Sequence, residues 1–482
     1  MSLSVKAARG GVVMMSGQIV KVALQFGSLI ILARLLQPED FGLVAMVIAI
    51  YGICDILLDF GLSTASIQVQ NITKAQISNL FWVNVLIGLL FTLISYFSAS
   101  LLASFYAQPE LTKIAQYVSV VFLFNGIAAQ YKAQLNRNFK FKQMAITDTT
   151  AVLLSVCIGV YFAYAGHSYW AIVYQQIAQA LIQMLLYMLF GAWLPSLPSR
   201  HVSIRHFFKF GWGLAGSQLM GYFSRNIPAI LIGNQIGASQ LGFYDRANKL
   251  LMLPLNQLNA PSSSVAVPVL SRLAVEDQEK YNRFLLFGQN IIVHLVVFCL
   301  ALTCCQTERL VQLVLGTQWL EMVPVYRALS FAGIFLALSY ASYWVFLSKG
   351  ITASLFKLGL VSRPISILII CLGLPAGVIG VAYAYSASLL FTWLLGVFWL
   401  RKTGVPVKSM IVDPLIMSAI YYSASFIANY VVDHYVDFAI YNILVGWLLM
   451  LLILAVFYLL VPKFKRSVKK LFEVKSYIRN KQ

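Results

Sequence analysis

Apolar runs of twenty or more residues recur along nearly the whole chain, and that feature leaves few folds open. A run of that length crosses the hydrocarbon core of a bilayer as a helix. Inside hydrocarbon, only helices and closed barrels satisfy every backbone N–H and C=O internally. A barrel needs alternating segments of about ten residues, and none are seen. The composition agrees. Of 482 residues, 60% are hydrophobic and 11% are charged, against about 25% charged in ordinary soluble domains. The expected fold class is an all-α polytopic membrane protein. The first apolar run, Gly11–Ala33, is too long for a signal-peptide core and leads into a second span, so no cleavable signal is expected.

Fourteen spans are expected, with edges good to a few residues. The first six lie near 12–33, 41–62, 80–102, 113–131, 144–164 and 169–190. The next six lie near 207–232, 241–268, 285–305, 324–346, 354–375 and 378–400. The last two lie near 414–431 and 438–461. A net charge of +19 would suggest nucleic acid in a soluble protein. Here the basic residues gather in loops on one side and in the tail, so topology explains them and no nucleic-acid partner is expected. The opposite side holds only Arg34, Lys113, Arg309 and Arg327. By the positive-inside rule both termini should be cytoplasmic.

The second half repeats the first. The corner after the first span, Leu32-Ala-Arg-Leu-Leu-Gln-Pro-Glu-Asp-Phe-Gly-Leu-Val-Ala-Met46, returns in disguise. Its counterpart is Leu231-Ile-Gly-Asn-Gln-Ile-Gly-Ala-Ser-Gln-Leu-Gly-Phe-Tyr244, with Gly42 aligned on Gly242. Spans 1–6 therefore map on spans 7–12 in the same orientation. Such a repeat implies two six-helix pseudo-symmetric lobes around an axis along the membrane normal, with a site between them. The expected division is an N-terminal lobe at 1–195, a cytoplasmic linker at 196–206 and a C-terminal lobe at 207–402. Two appended C-terminal helices follow at 403–462, then a basic cytoplasmic tail at 463–482.

Several polar groups interrupt the apolar spans. Gln18, Lys21, Gln25 and Ser28 share one face of the first span, and Gln218, Tyr222 and Arg225 form a stripe on the seventh. Gln18 aligns with Gln218 and Gln25 with Arg225. The second span carries Tyr51, Asp55 and Asp59 at four-residue steps. The eighth carries Asp245, Lys249, Asn256, Asn259 and Ser263 on one face, with Arg246 beside it. An ionised group facing lipid costs at least about 2.5 kcal/mol, so these groups are expected to line a watery cavity. Lys21, Gln25, Arg225, Arg246, Lys249, Gln18 and Gln218 are the candidate substrate-binding residues, and Asp55 and Asp59 the candidate ion-coupling pair. Each has a plainer reading: Lys21 or Arg225 as one half of a packing ion pair, Asp59 as a helix cap, Arg246 and Lys249 reaching for the outer interface. Asp148 and Lys142 read as span-edge residues of structural value. Pro254, Pro261 and Pro268 predict a bent or hinged eighth span. The six cysteines show no metal spacing and read as buried small hydrophobes. No catalytic constellation, metal site or cofactor is expected; a proton or sodium gradient would suffice as a driving force.

The Leu32–Met46 corner resembles that of the Wzx-type polysaccharide flippases, the polysaccharide transporter family of the MOP superfamily. So do Asp59-Phe-Gly-Leu-Ser-Thr-Ala-Ser-Ile-Gln68 and Asn136-Arg-Asn-Phe-Lys-Phe141. In the second lobe Leu241-Gly-Phe-Tyr-Asp-Arg-Ala-Asn-Lys-Leu-Leu-Met-Leu-Pro254, Pro268-Val-Leu-Ser-Arg-Leu273 and Leu313-Val-Leu-Gly-Thr-Gln-Trp319 fit as well. The likeness covers about residues 1–400 and is nearest to the colanic-acid-exporter-like branch. It implies a MOP/MATE-like fold in the bacterial inner membrane. It also implies ion-coupled alternating access that moves undecaprenyl-pyrophosphate-linked oligosaccharide, with membrane lipid, a polysaccharide polymerase and a chain-length regulator as partners. These motifs are structural corners, so they assign no site residues. Two other functions compete. A MATE-like exporter of organic cations should have acidic walls. A membrane polymerase or glycosyltransferase should have a long loop with paired carboxylates. The cations at Lys21, Arg225 and Lys249 and the short external loops speak against both.

Overall fold

The computed structural model describes residues 3–59, 66, 72–199, 204–435 and 439–472, and no strand occurs among them. The Asp59 and Asn259 side chains, part of the 196–206 linker, most of the Asp59–Gln68 motif and the end of the basic tail lie outside the described residues. The first helices are α1 (Leu3–Leu35), α2 (Pro38–Asp59), α3 (Lys74–Phe97), α4 (Ala99–Tyr106), α5 (Glu110–Arg137), α6 (Phe141–Tyr164) and α7 (Trp170–Gly191). Then come α8 (Arg205–Gln235), α9 (Ala238–Glu276), α10 (Gln278–Cys305), α11 (Thr307–Val314) and α12 (Met322–Ser348). The last are α13 (Thr352–Gly373), α14 (Gly377–Trp399), α15 (Val407–Tyr435), α16 (Ala439–Leu460) and α17 (Pro462–Phe472).

Eleven stretches of the described residues are long and apolar enough to cross a membrane; one, Thr352–Thr403, contains both α13 and α14. The protein is therefore an all-α, multi-pass membrane protein.

Local chemistry sets the helix ends. Thr73 and Gln76 form a capping box on α3: the Gln76 N–H donates to Thr73 Oγ1 at 3.2 Å and the Thr73 N–H to Gln76 Oε1 at 3.0 Å. At α2, Pro38 fills the first turn, and the Asp40 carboxylate accepts the Gln37 N–H at 2.9 Å and the Ser168 hydroxyl. The helix α9 continues from Ala238 to Glu276 through Pro254, Pro261 and Pro268. They stand seven residues apart, so their missing donors share one face, and the rest of the backbone ladder carries the helix through.

By contacts the chain falls into two compact units, Met1–Gly242 and Phe243–Gln482. In the first, helices pack where small residues let backbones approach. A Cβ on Gly88 of α3 would stand 2.7 Å from the Phe122 carbonyl oxygen of α5, and one on Gly126 would stand 2.6 Å from that of Asn84. The first unit also holds the corner seen in sequence. A methyl on Gly42 would overlap the Ala238 carbonyl oxygen, and one on Gly242 would overlap that of Pro38. The starts of α2 and α9 thus interlock reciprocally through aligned residues. In the second unit, Trp344 and Trp393 are buried, and α15 is tied to α10 by Gln289 donating to the Met410 carbonyl at 3.0 Å and Ser425 to that of Ala301 at 2.7 Å.

All six cysteines are free thiols. Cys304 and Cys305 are buried, but Cys157 and Cys299 are exposed on the helix surface rather than buried as expected. A small apolar side chain costs nothing against lipid, so burial is not required there.

Candidate functional site

The polar residues in the first unit gather in two groups. The first lies where α1 meets α6. A Cβ on Gly17 would stand 2.8 Å from Ala145 Cβ, so the two backbones run close. One turn along each helix from that contact, Lys21 Nζ lies 3.9 Å from Asp148 Oδ2. Oδ1 of the same carboxylate accepts the Tyr187 hydroxyl at 2.7 Å and the Gln183 amide at 3.2 Å, both from α7. The α1 stripe continues to Ser28, which accepts from Gln175 Nε2 at 3.1 Å. The Gln18 and Gln25 side chains between and beside these contacts are exposed.

Asp148 is therefore not a span-edge residue. It lies two turns inside α6 and forms the hub of a network joining three helices. Its sequence signal was a lone carboxylate in an apolar helix; placing the span start at 144 instead of 141 put it near an edge. Nothing in the sequence pointed to Gln183 and Tyr187 beyond their four-residue spacing on α7.

The second group lies where α8 meets α2. Gly52 leaves a notch, since a methyl there would overlap the Tyr222 hydroxyl. That hydroxyl reaches the carbonyl oxygens of Ile48 at 2.8 Å and Ala49 at 3.2 Å. Asp55 and Arg225 each stand three residues beyond this contact on their own helices, and both lie within coulombic reach of Tyr222. Asp55 Oδ1 also faces Asn125 Nδ2 of α5, at 3.5 Å. The side chains of Asp55, Arg225 and Gln218 are exposed. The structure thus places a carboxylate of α2 and a cation of α8 near one tyrosine.

In the second unit, Arg246 and Lys249 share one carboxylate. Asp245 Oδ2 lies 2.8 Å from Arg246 Nη2 and 2.8 Å from Lys249 Nζ. Arg246 is buried, while Lys249 keeps 46% of its side chain exposed. The expected cationic wall is here a cluster of two cations on one anion, and Lys249 is its accessible member. Among the described residues no three His, Cys, Asp or Glu side chains converge on a metal-sized site.

The sequence profile of a family described as polysaccharide biosynthesis protein matches residues 31–324. The teichuronic acid biosynthesis protein TuaB of Bacillus subtilis (strain 168) is 30% identical over 301 residues, 61% of either chain. The chain thus spans about three-fifths of that relative. The lipopolysaccharide biosynthesis protein WzxC of Escherichia coli (strain K12) is 23% identical over 406 residues, 83% of this chain and 82% of that one. A structure of the lipid II flippase MurJ in an inward closed conformation superposes with a TM-score of 0.72 at 16% identity, covering 93% of this chain and 99% of that one. The fold is shared across that distance.

Proposed function

We propose that this chain, which belongs to the polysaccharide biosynthesis protein family, is a flippase. Its substrate is an oligosaccharide linked through pyrophosphate to a polyprenol such as undecaprenol, carried from the inner to the outer leaflet of the bacterial inner membrane. The observation that carries this reading is the placement of Lys21 and Arg225 in membrane-length helices, each with room to take an anion. Lys21 is only partly buried, and its carboxylate partner is 3.9 Å away. Arg225 is exposed. A charge within a membrane-spanning helix is functional by default, and cations match a pyrophosphate or an acidic sugar. Gln18, Gln25 and Gln218 extend the two stripes with groups suited to sugar hydroxyls, and Arg246 with Lys249 add a second cationic point. The names of WzxC and MurJ support the same chemistry. A polysaccharide polymerase and chain-length regulator would take the product. The test is reconstitution in vesicles with a fluorescent polyprenyl-pyrophosphate glycan: no protein-dependent change of leaflet would end the reading.

The topology that goes with it has fourteen spans and both termini in the cytoplasm. The sequence repeat supports lobes at 1–195 and 207–402, joined by 196–206 and followed by 403–462 and the tail from 463. In a cysteine-free background, single cysteines at Gln37 and Gln108 should label from outside intact cells, and one at Lys140 should not. Labelling at Lys140 from outside would break this map.

For energy coupling the candidates are Asp55 and Asp59. Asp55 faces Asn125 of α5 and lies near Tyr222 of α8, so its charge state can alter how tightly α2, α5 and α8 hold together. Asp55→Asn should slow gradient-driven transport by about tenfold or more while leaving substrate binding within twofold, as expected for a lost proton-transfer group. Full transport by the Asp55→Asn/Asp59→Asn protein under an imposed gradient would remove both from the mechanism.

A further inference from the structure

Beyond the transport path, the second unit holds a cavity of about 320 Å³ between α10, α15 and α17. Its polar lining includes Arg283, Lys463, Arg466 and Lys470, against a single carboxylate, Asp413. Apolar side chains, among them Phe287, Pro414 and Met417, complete the wall. The cavity opens at the ends of α10, α15 and α16 that carry the basic loops, next to membrane-length apolar helices.

The helix α17 is fixed in place there. Phe464 is buried, with its ring 5.7 Å from that of Tyr421 and 6.0 Å from that of His294. Ser467 meets His294 Nε2 at 2.8 Å and donates to Asn290 Oδ1 at 2.5 Å, and Asn290 Nδ2 donates back to the Ser467 carbonyl at 3.0 Å. With that face docked, residues 463, 466 and 470 turn to the cavity, at helical steps of three and four. Lys465 and Lys469 are not among the residues lining it. One of the cavity cations, Arg283, already pairs with Glu279 at 2.5 Å, so the helix α17 supplies the remaining positive charge.

We propose that this cavity is a binding site for the phosphodiester headgroup of an anionic phospholipid, with phosphatidylglycerol as its model ligand. The cations take the phosphate through charge-assisted hydrogen bonds. The apolar wall takes the glycerol and the start of the acyl chains. Basic pockets between helices at the cytoplasmic membrane face are suited to such headgroups. The site would fix α17 and the appended hairpin α15–α16 to the membrane surface.

The experiment uses the full-length protein, delipidated in detergent and titrated with phosphatidylglycerol or phosphatidylcholine, with bound lipid read by native mass spectrometry. Phosphatidylglycerol should be retained in preference to phosphatidylcholine. Arg466→Gln/Lys470→Gln should weaken its binding by roughly tenfold or more. Lys465→Gln/Lys469→Gln removes the same charge from the same helix but not from the cavity, and should leave binding within about twofold of wild type. The charge-preserving Arg466→Lys/Lys470→Arg should retain binding, which separates loss of the site from loss of the fold. Equal weakening by both Gln pairs would show general surface attraction and overturn the proposal. So would equal retention of the two lipids. Displacement of the lipid by millimolar inorganic phosphate would assign the cavity to the free ion and overturn the lipid assignment.

Discussion

Replacing Lys21 and Arg225 together by Gln should abolish polymer export, a loss of at least about a hundredfold, while the protein stays in the membrane. The estimate follows from the contacts at stake. A hydrogen bond to a charged group contributes about 1.5–3 kcal/mol, and two such contacts to a pyrophosphate or acidic sugar would be lost. Charge-preserving changes should behave differently. Lys21→Arg should keep part of the export. Arg225→Lys should lose more, because guanidinium can hold a phosphate with two parallel bonds and an ammonium cannot. The Lys21–Asp148 pair offers a sharper control. If Lys21 served only to neutralise Asp148, then Lys21→Gln would lower the amount of protein, and adding Asp148→Asn would restore both protein and export. If Lys21 binds substrate, Lys21→Gln/Asp148→Asn stays inactive at normal abundance. The measurement is surface polymer normalised to membrane-embedded protein. Normal export by Lys21→Gln/Arg225→Gln at normal abundance would refute the binding role.

Enlarging either glycine of the repeated corner should be nearly as damaging. The Gly42 and Gly242 positions have no room for a methyl group, because each lies against a carbonyl of the other corner. A carbonyl at the start of a helix cannot swing aside as a flexible side chain could. The corner around it is already full: Phe41, Met46 and Leu241 are buried, and a Cβ on Gly233 would stand 2.9 Å from Tyr106 Cε1. Overpacking a filled site costs about 1–3 kcal/mol where neighbours can yield, so the expected response is separation of the two corners. Gly42→Val or Gly242→Val should each lower the melting temperature of the detergent-solubilised protein by several degrees and cut export at least about tenfold. Because both bulky groups act on one interlock, the double variant should be little worse than either single one, a departure from additivity characteristic of residues in contact. Losses that simply add would show that the two glycines act at separate places.

Much of this protein was legible without coordinates because the membrane is so restrictive a solvent. Unpaired backbone groups cannot face hydrocarbon, so the apolar runs had to be helices, and their length and the one-sided basic loops carried the class. The alignment of Gly42 with Gly242 also came from sequence alone. So did the stripes of Lys21 and Arg225, since helical periodicity places residues on a face whatever that face meets.

What a face meets was not legible. Partner choice depends on how two helices rotate and how closely they approach, and small residues far apart in the chain decide that. The notch at Gly52 admits Tyr222 and so gathers Asp55 and Arg225 around one ring. Close approach at Gly17 and Ala145 delivers Asp148 to Lys21, with Gln183 and Tyr187 completing its shell. The stretch from 463 read only as a basic cytoplasmic tail. Only burial of Phe464 and the Ser467 contacts showed that its first turns fold back to wall a cavity. Periodicity along one helix fixes a face; a pair of faces is fixed only when both backbones are in place.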